Sequence, residues 1–142
     1  RIIDFQLENG IMGAESIPAA GKDSALKATK AQFDSTSGKV PWMKYFLAYD
    51  PVPTARKVRQ PVFIMQGGTD QQVTPDQAPV LEQAFRGGGN KDVTVKVYKD
   101  RNHLFLQDPS GFPGGYVKLT NGKVDGEVMG ELANWLAARL KP

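Results

Sequence analysis

The sequence predicts an α/β fold, and three of its features carry that prediction. Val62-Phe63-Ile64-Met65 is an unbroken apolar run, the pattern of a strand buried on both faces of a parallel sheet. Val93–Tyr98 alternates apolar and polar side chains, the period of a strand with one covered face. Between and after these runs stand two stretches with apolar residues at helical spacing, so residues 51–142 read β-α-β-α. Residues 1–50 carry no strand pattern and read as helices, which sets a boundary at Pro51-Val52-Pro53.

In the first part, Ile3, Leu7 and Ile11 share one helical face before Gly10, Gly13 and Pro18 break the run. A second helix carrying Leu26, Lys30 and Phe33 is expected to be capped by Asp23 or Ser24. Asp34–Val40, rich in Ser, Thr and Gly, is expected to be a loop. The aromatic stretch from Pro41 to Pro51 reads as a short helix opened by one proline and stopped by the other.

In the second part, Gly67-Gly68-Thr69-Asp70 makes a tight turn after the first strand. Thr74-Pro75-Asp76-Gln77 matches a capping box with proline at the first helical position. Ala78, Leu81, Ala84 and Phe85 supply that helix's apolar face, and Gly87-Gly88-Gly89 ends it. The alternating strand suits a place near the sheet edge. A loop rich in Gly and Pro runs from Gln107 to Gly126. The last helix starts near Asp125, with Val128, Leu132, Trp135, Leu136 and Leu140 on one side. Arg139 and Lys141 stand in its last turn, where cations complement the dipole.

Composition excludes several functions. The chain has 142 residues, suited to about one domain, and is 40% apolar and 23% charged, which excludes a disordered protein. No apolar run approaches the ~18 residues of a membrane-spanning helix. There is no cysteine, hence no disulfide, thiolate metal site or cysteine nucleophile, and no indication of redox compartment. A single histidine excludes multi-histidine metal sites. The net charge of +3 is weak grounds for nucleic-acid binding. Arg56, Lys57 and Arg59 lack interleaved aromatics and read as a solvated linker. The three glycines at 87–89 follow a helix rather than opening one, unlike a phosphate loop.

Asp70 and His103 are the candidate chemical groups. Each stands just past the carboxyl end of a strand, where open α/β sheets gather their ligands and catalytic side chains. Loops after adjacent parallel strands lie side by side, so the two residues are expected to meet. An aspartate bonded to imidazole Nδ1 fixes the tautomer, and the histidine then serves as base and acid near neutral pH. The bland readings are a surface histidine and a turn aspartate. Asp76, the rival carboxylate, is accounted for by capping.

Pro61–Val73, an apolar strand followed by G-x-x-D-x-x-V and a helix, resembles the acid turn of α/β-hydrolases. Asn102-His103-Leu104-Phe105 is similar to their histidine loop. The nearest likeness is to bacterial esterases and peptidases of the prolyl-oligopeptidase or dienelactone-hydrolase kind. Trp42–Pro51 resembles the segment by which their cap returns to the core. The likeness covers residues 42–142 well and residues 1–41 only weakly. It implies the C-terminal portion of an α/β-hydrolase fold: a helical cap over residues 1–50, then the last two parallel strands and their helices. It implies Asp70 as triad acid, His103 as triad base, and hydrolysis of an ester or amide through an acyl-serine. No metal or organic cofactor is implied. Trp42, Phe46, Leu104 and Phe105 are candidate substrate contacts, with ordinary packing as their alternative.

One departure matters. Ser16, Ser24, Ser35, Ser37 and Ser110 are the chain's serines, and none stands in a G-x-S-x-G elbow. The chain opens at Arg1 without an initiator Met or a signal-peptide pattern. Two strands are also fewer than the ~4–6 of a usual sheet. The nucleophile and the missing strands are therefore expected upstream in a longer protein or on another chain. This chain alone is expected to be inactive. The alternative is a non-catalytic interaction module that self-associates or pairs with a partner through its open sheet edge. A flavodoxin-like domain needs more βα units than the chain holds. Substrate, compartment and oligomeric state are not legible.

Overall fold

A computed structural model of the chain describes Glu8 and residues 17–37, 39–120 and 122–140. The expected face of Ile3, Leu7 and Ile11 lies outside these residues, as does Lys141. The chain divides into two compact units, Arg1–Pro51 and Val52–Pro142.

In the first unit, a 3-10 turn at Ala19–Gly21 leads into helix α1, Lys22–Ser37. The Gly21 N–H donates to the Pro18 carbonyl at 2.8 Å, so the chain is already turning when it reaches Lys22. Neither Asp23 nor Ser24 is therefore the cap. Asp23 instead lies in the first turn, where its charge suits the dipole. The helix also runs through Asp34–Ser37, expected as loop. The Thr36 hydroxyl donates to the Gln32 carbonyl at 2.8 Å and accepts from Gln32 Nε2 at 3.3 Å. A hydroxyl satisfied by the preceding turn does not compete with the helix. Helix α2, Pro41–Ala48, has proline in its first turn, where its missing N–H costs nothing. Pro51 disfavours the helical region for Asp50, and the chain has already turned extended at Tyr49 (φ −71°, ψ 125°).

In the second unit, a short helix α3, Val52–Ala55, precedes strand β1, Val62–Gly67. Helix α4, Gln77–Gly87, connects β1 to strand β2, Val93–Tyr98, and helix α5, Gly126–Arg139, closes the unit. The strands pair in parallel, from Val62 opposite Val93 to Gly67 opposite Tyr98. Among the described residues this is the whole sheet. With one hydrogen-bonded neighbour, Val62–Met65 is half-buried rather than enclosed on both faces. Full burial begins at Gln66 and Gly67.

Both faces of β2 are partly covered, with Val93 buried on one and Tyr98 on the other. Its polar-looking face is the one that α5 covers. Trp135 Nε1 donates to Thr94 Oγ1 at 3.3 Å and its ring stacks on Phe63 at 5.5 Å. Glu131 takes Lys96 Nζ at 2.7 Å and the Tyr98 hydroxyl at 2.9 Å. Burial and the Glu131 carboxylate together push the Tyr98 phenol far above its ordinary range. Val97, on the opposite face, is 46% exposed. Helix α5 starts beside Asp125 as expected, and that residue caps it, its carboxylate accepting the Glu127 N–H at 2.8 Å. Only Val128 of its apolar side is fully buried, while Leu136 and Leu140 are exposed. Arg139 does more than complement the dipole: it pairs with Asp92 at 2.6 Å and lies over the Trp135 ring.

Helix α4 starts without the expected capping box. The Gln77 and Ala78 N–H groups take the Thr74 and Pro75 carbonyls instead, a tight first turn. The Thr74 hydroxyl bonds the Asp76 carboxylate, and this bond above all holds that carboxyl below its ordinary value. The helix ends in a Schellman motif. Gly89, at φ +96°, donates to Arg86, and Asn90 donates to Phe85. Gly88 carries a further constraint, because a Cβ there would overlap the Arg56 carbonyl. Gly88→Ala is expected to cost about 1–3 kcal/mol in urea unfolding. Gly87→Ala, with open space around it, is expected to be neutral or stabilising by up to about 1 kcal/mol.

Candidate active site

The carboxyl ends of β1 and β2 are brought together by backbone that allows no side chain between them. A Cβ on Gly67 would come within 2.5 Å of the Arg101 and Asn102 carbonyls. The Gly68 N–H donates to Tyr98 at 2.8 Å and the Thr69 N–H to Arg101 at 3.0 Å. The turn after β1 therefore lies directly on the loop after β2, and Asp70 reaches His103.

Asp70 is 5% exposed. Its Oδ1 accepts the Gln72 N–H at 2.8 Å and the Val73 N–H at 2.9 Å, an Asx-type turn. Its Oδ2 lies 2.9 Å from His103 Nδ1. The same oxygen accepts from Gln66 Nε2 at 3.3 Å. The His103 side chain is 39% exposed. A carboxylate on Nδ1 keeps the proton of the neutral ring there and leaves Nε2 as its basic atom.

The loop that presents His103 is built around Asn102, which is 0% exposed. Its Oδ1 accepts the Leu104 and Leu106 N–H groups at 2.9 and 3.1 Å, and its Nδ2 donates to Asp108 Oδ2 at 3.1 Å. Asp108 also takes the Ser110 N–H and hydroxyl. Burial alone would raise the Asp108 carboxyl, but the bonds from Ser110, Asn102 and the Gly111 amide outweigh it and hold the carboxyl below its ordinary range. The loop bends back at Phe105, which adopts φ +56°. Arg101 fastens the loop to the start of α5 through Asp125, Nη2 to Oδ2 at 2.8 Å.

The segment after this loop is tied down onto the aspartate turn. Thr69 Oγ1 donates to the Asp108 carbonyl at 2.7 Å and Gln71 Nε2 to the Ser110 carbonyl at 2.7 Å. Gln72 Nε2 bonds the Tyr116 hydroxyl at 3.2 Å.

Of the residues singled out from the sequence, Asp70 and His103 are in contact. Leu104 beside them is exposed. Phe105 is turned edge-on to Tyr98, with ring centroids 5.9 Å apart. Trp42 and Phe46 belong to the first unit and are 64% and 66% exposed. Arg56, Lys57 and Arg59 are all exposed, and Arg59 donates to the Arg56 and Val58 carbonyls. Among the described residues no group of His, Cys, Asp and Glu suits a metal ion. No described helix is long and apolar enough to cross a membrane. Sequence reasoning missed Gln66, Asn102 and Asp108. Their only signal was adjacency: Gln66 closes the first strand and Asn102 precedes the histidine.

A protein-family model described as the dienelactone hydrolase family matches residues 20–135, most of both units. The chain belongs to the dienelactone hydrolase family. Membership carries the α/β-hydrolase type of fold, with which the parallel pair β1–β2 and its flanking helices agree. Among curated proteins, esterase EstD of Thermotoga maritima is 34% identical over 89 residues. Those residues are 61% of this chain and 20% of that esterase, so the chain spans about a fifth of its relative's length. No solved structure matches the chain. The match begins at residue 20, well ahead of Trp42, and so takes in more of the first unit than the motif likeness does.

Proposed function

We propose that this chain is the C-terminal part of a serine hydrolase that cleaves carboxylic esters. Asp70 is its acid, His103 its base, and the nucleophilic serine lies outside these 142 residues. The observation that carries the reading is the 2.9 Å contact between a buried aspartate and a half-exposed histidine at the ends of neighbouring parallel strands. The similarity to an esterase supports ester over amide substrates. The absence of a G-x-S-x-G serine from the sequence supports a nucleophile elsewhere.

In this reaction His103 Nε2 takes the serine hydroxyl proton as the oxygen attacks the ester carbonyl. The tetrahedral intermediate expels the alcohol, which receives that proton from the imidazolium. Water then repeats the sequence on the acyl-serine and releases the acid. Asp70 holds Nδ1 throughout and stabilises the imidazolium. Leu104 and Phe105 beside the histidine are the proposed substrate contacts.

The test uses the protein isolated from its source, whose intact mass shows whether it extends beyond these residues. An alkyl fluorophosphonate should label one serine outside this sequence, and short-chain p-nitrophenyl esters should be turned over. The 142-residue chain alone should take no label. A labelled serine within the chain, or no label on the longer protein, would overturn the reading. A second reading, an interaction module, is favoured by the open side of β1, which pairs only with β2 among the described residues. A stable oligomer without labelling would select it.

A further inference from the structure

The Asp70 carboxylate is gripped by a residue that the acid–base pair does not itself require. Gln66 is the penultimate residue of β1 and is 7% exposed. Its Nε2 lies 2.9 Å from the Val73 carbonyl, 3.2 Å from the Gly67 carbonyl and 3.3 Å from Asp70 Oδ2. All three neighbours are acceptors, so the nitrogen is fixed on that side of the carboxamide.

The arrangement closes a ring. Val73 gives its N–H to Asp70 Oδ1, and its carbonyl takes Gln66. Gln66 also gives a hydrogen bond to Asp70 Oδ2, the oxygen that holds His103. The two backbone N–H groups on Oδ1 anchor one end of the carboxylate but leave it free to rotate about that anchor. A donor on Oδ2 from the strand itself removes this rotation. Strand residues are fixed more firmly than loop residues, so the aspartate inherits its orientation from β1. We propose that Gln66 is a positioning residue for the reaction: it sets the plane of the Asp70 carboxylate and, through Oδ2, the tilt of the His103 ring. The proposal rests on the reading of Asp70 and His103 as acid and base.

The test compares Gln66→Met, which keeps the length and removes the donor, with Gln66→Asn, which keeps the carboxamide but draws it back by one methylene. Two readouts are taken on the active protein. The first is the proton resonance of His103 Nδ1–H, assigned by its loss in His103→Gln, and its exchange with water. The second is kcat and KM separately. A ring held less firmly exchanges its Nδ1 proton faster. Misplacement of a reacting group by a fraction of an ångström to 1 Å lowers kcat by about 10- to 100-fold with KM little changed. Gln66→Met should show both effects, and Gln66→Asn should show them more weakly. If the resonance, its exchange and kcat all stay at wild-type values, Gln66 does not position the pair. If stability falls while the resonance and its exchange are unchanged, its role is only structural and the proposal also fails. Should Gln66→Met not fold, Gln66→Asn alone decides by the same criteria. Asp70→Asn separates the two claims: if it leaves the His103 resonance in place, the acid–base reading has failed and not merely its extension to Gln66.

Discussion

His103→Ala in the active protein should lower kcat by about 10⁴-fold or more, with KM changed no more than a few-fold. The imidazole acts in the transition state, as acceptor of the serine proton and then as donor to the leaving alcohol. Its removal therefore falls on kcat and not on binding. Asp70→Asn should fall in the same range. It keeps the shape but presents an N–H or a weaker acceptor to Nδ1, and so holds the wrong tautomer. Steady-state kinetics on a p-nitrophenyl ester checks both. Retention of activity within tenfold of wild type in His103→Ala would remove the histidine from its assigned role. The 39% exposure of its side chain makes the experiment clean, because the truncation leaves little cavity.

Asn102→Leu should be the most costly change to stability among the loop residues, at about 3–5 kcal/mol. Leucine has the same branching at Cγ but strands three partners: the Leu104 and Leu106 N–H groups and Asp108 Oδ2. The position is 0% exposed, so water does not replace the lost bonds without opening the loop. Each stranded group costs about 1–3 kcal/mol, reduced where the loop relaxes. In thermal unfolding this corresponds to a drop on the order of 10 °C for a chain of this length. A loss under about 1 kcal/mol would mean that the loop is held by its other ties to the aspartate turn.

What was legible in the sequence was local. Helix α4, strands β1 and β2, and the start of α5 near Asp125 each show in a few consecutive residues, because apolar period acts over one or two turns. The meeting of Asp70 with His103 was legible because both follow strands that pair in parallel, and short loops after such strands have nowhere else to go. What was not legible depended on partners distant in sequence. Both faces of β2 are covered in part: Val93 is buried on one, and on the other α5 brings Glu131 and Trp135 to Thr94, Lys96 and Tyr98. A pattern of alternating polarity cannot report a glutamate that arrives from another helix. Asp34–Ser37 reads as loop by composition, yet its threonine is satisfied inside the helix. Gln66, Asn102 and Asp108 carry no period at all, and their importance lies in which atoms they meet.

Asp125 does two jobs with its two oxygens. One caps α5 through the Glu127 N–H, and the other holds Arg101, while the Asp125 N–H bonds the Phe105 carbonyl. The histidine loop and the first turn of the last helix thus share a residue that neither keeps if the other lets go. They are expected to open as one cooperative unit, with their amides exchanging with solvent together. A change deep in α5, far along the chain from His103, would then reach the histidine as altered protection before it altered its place.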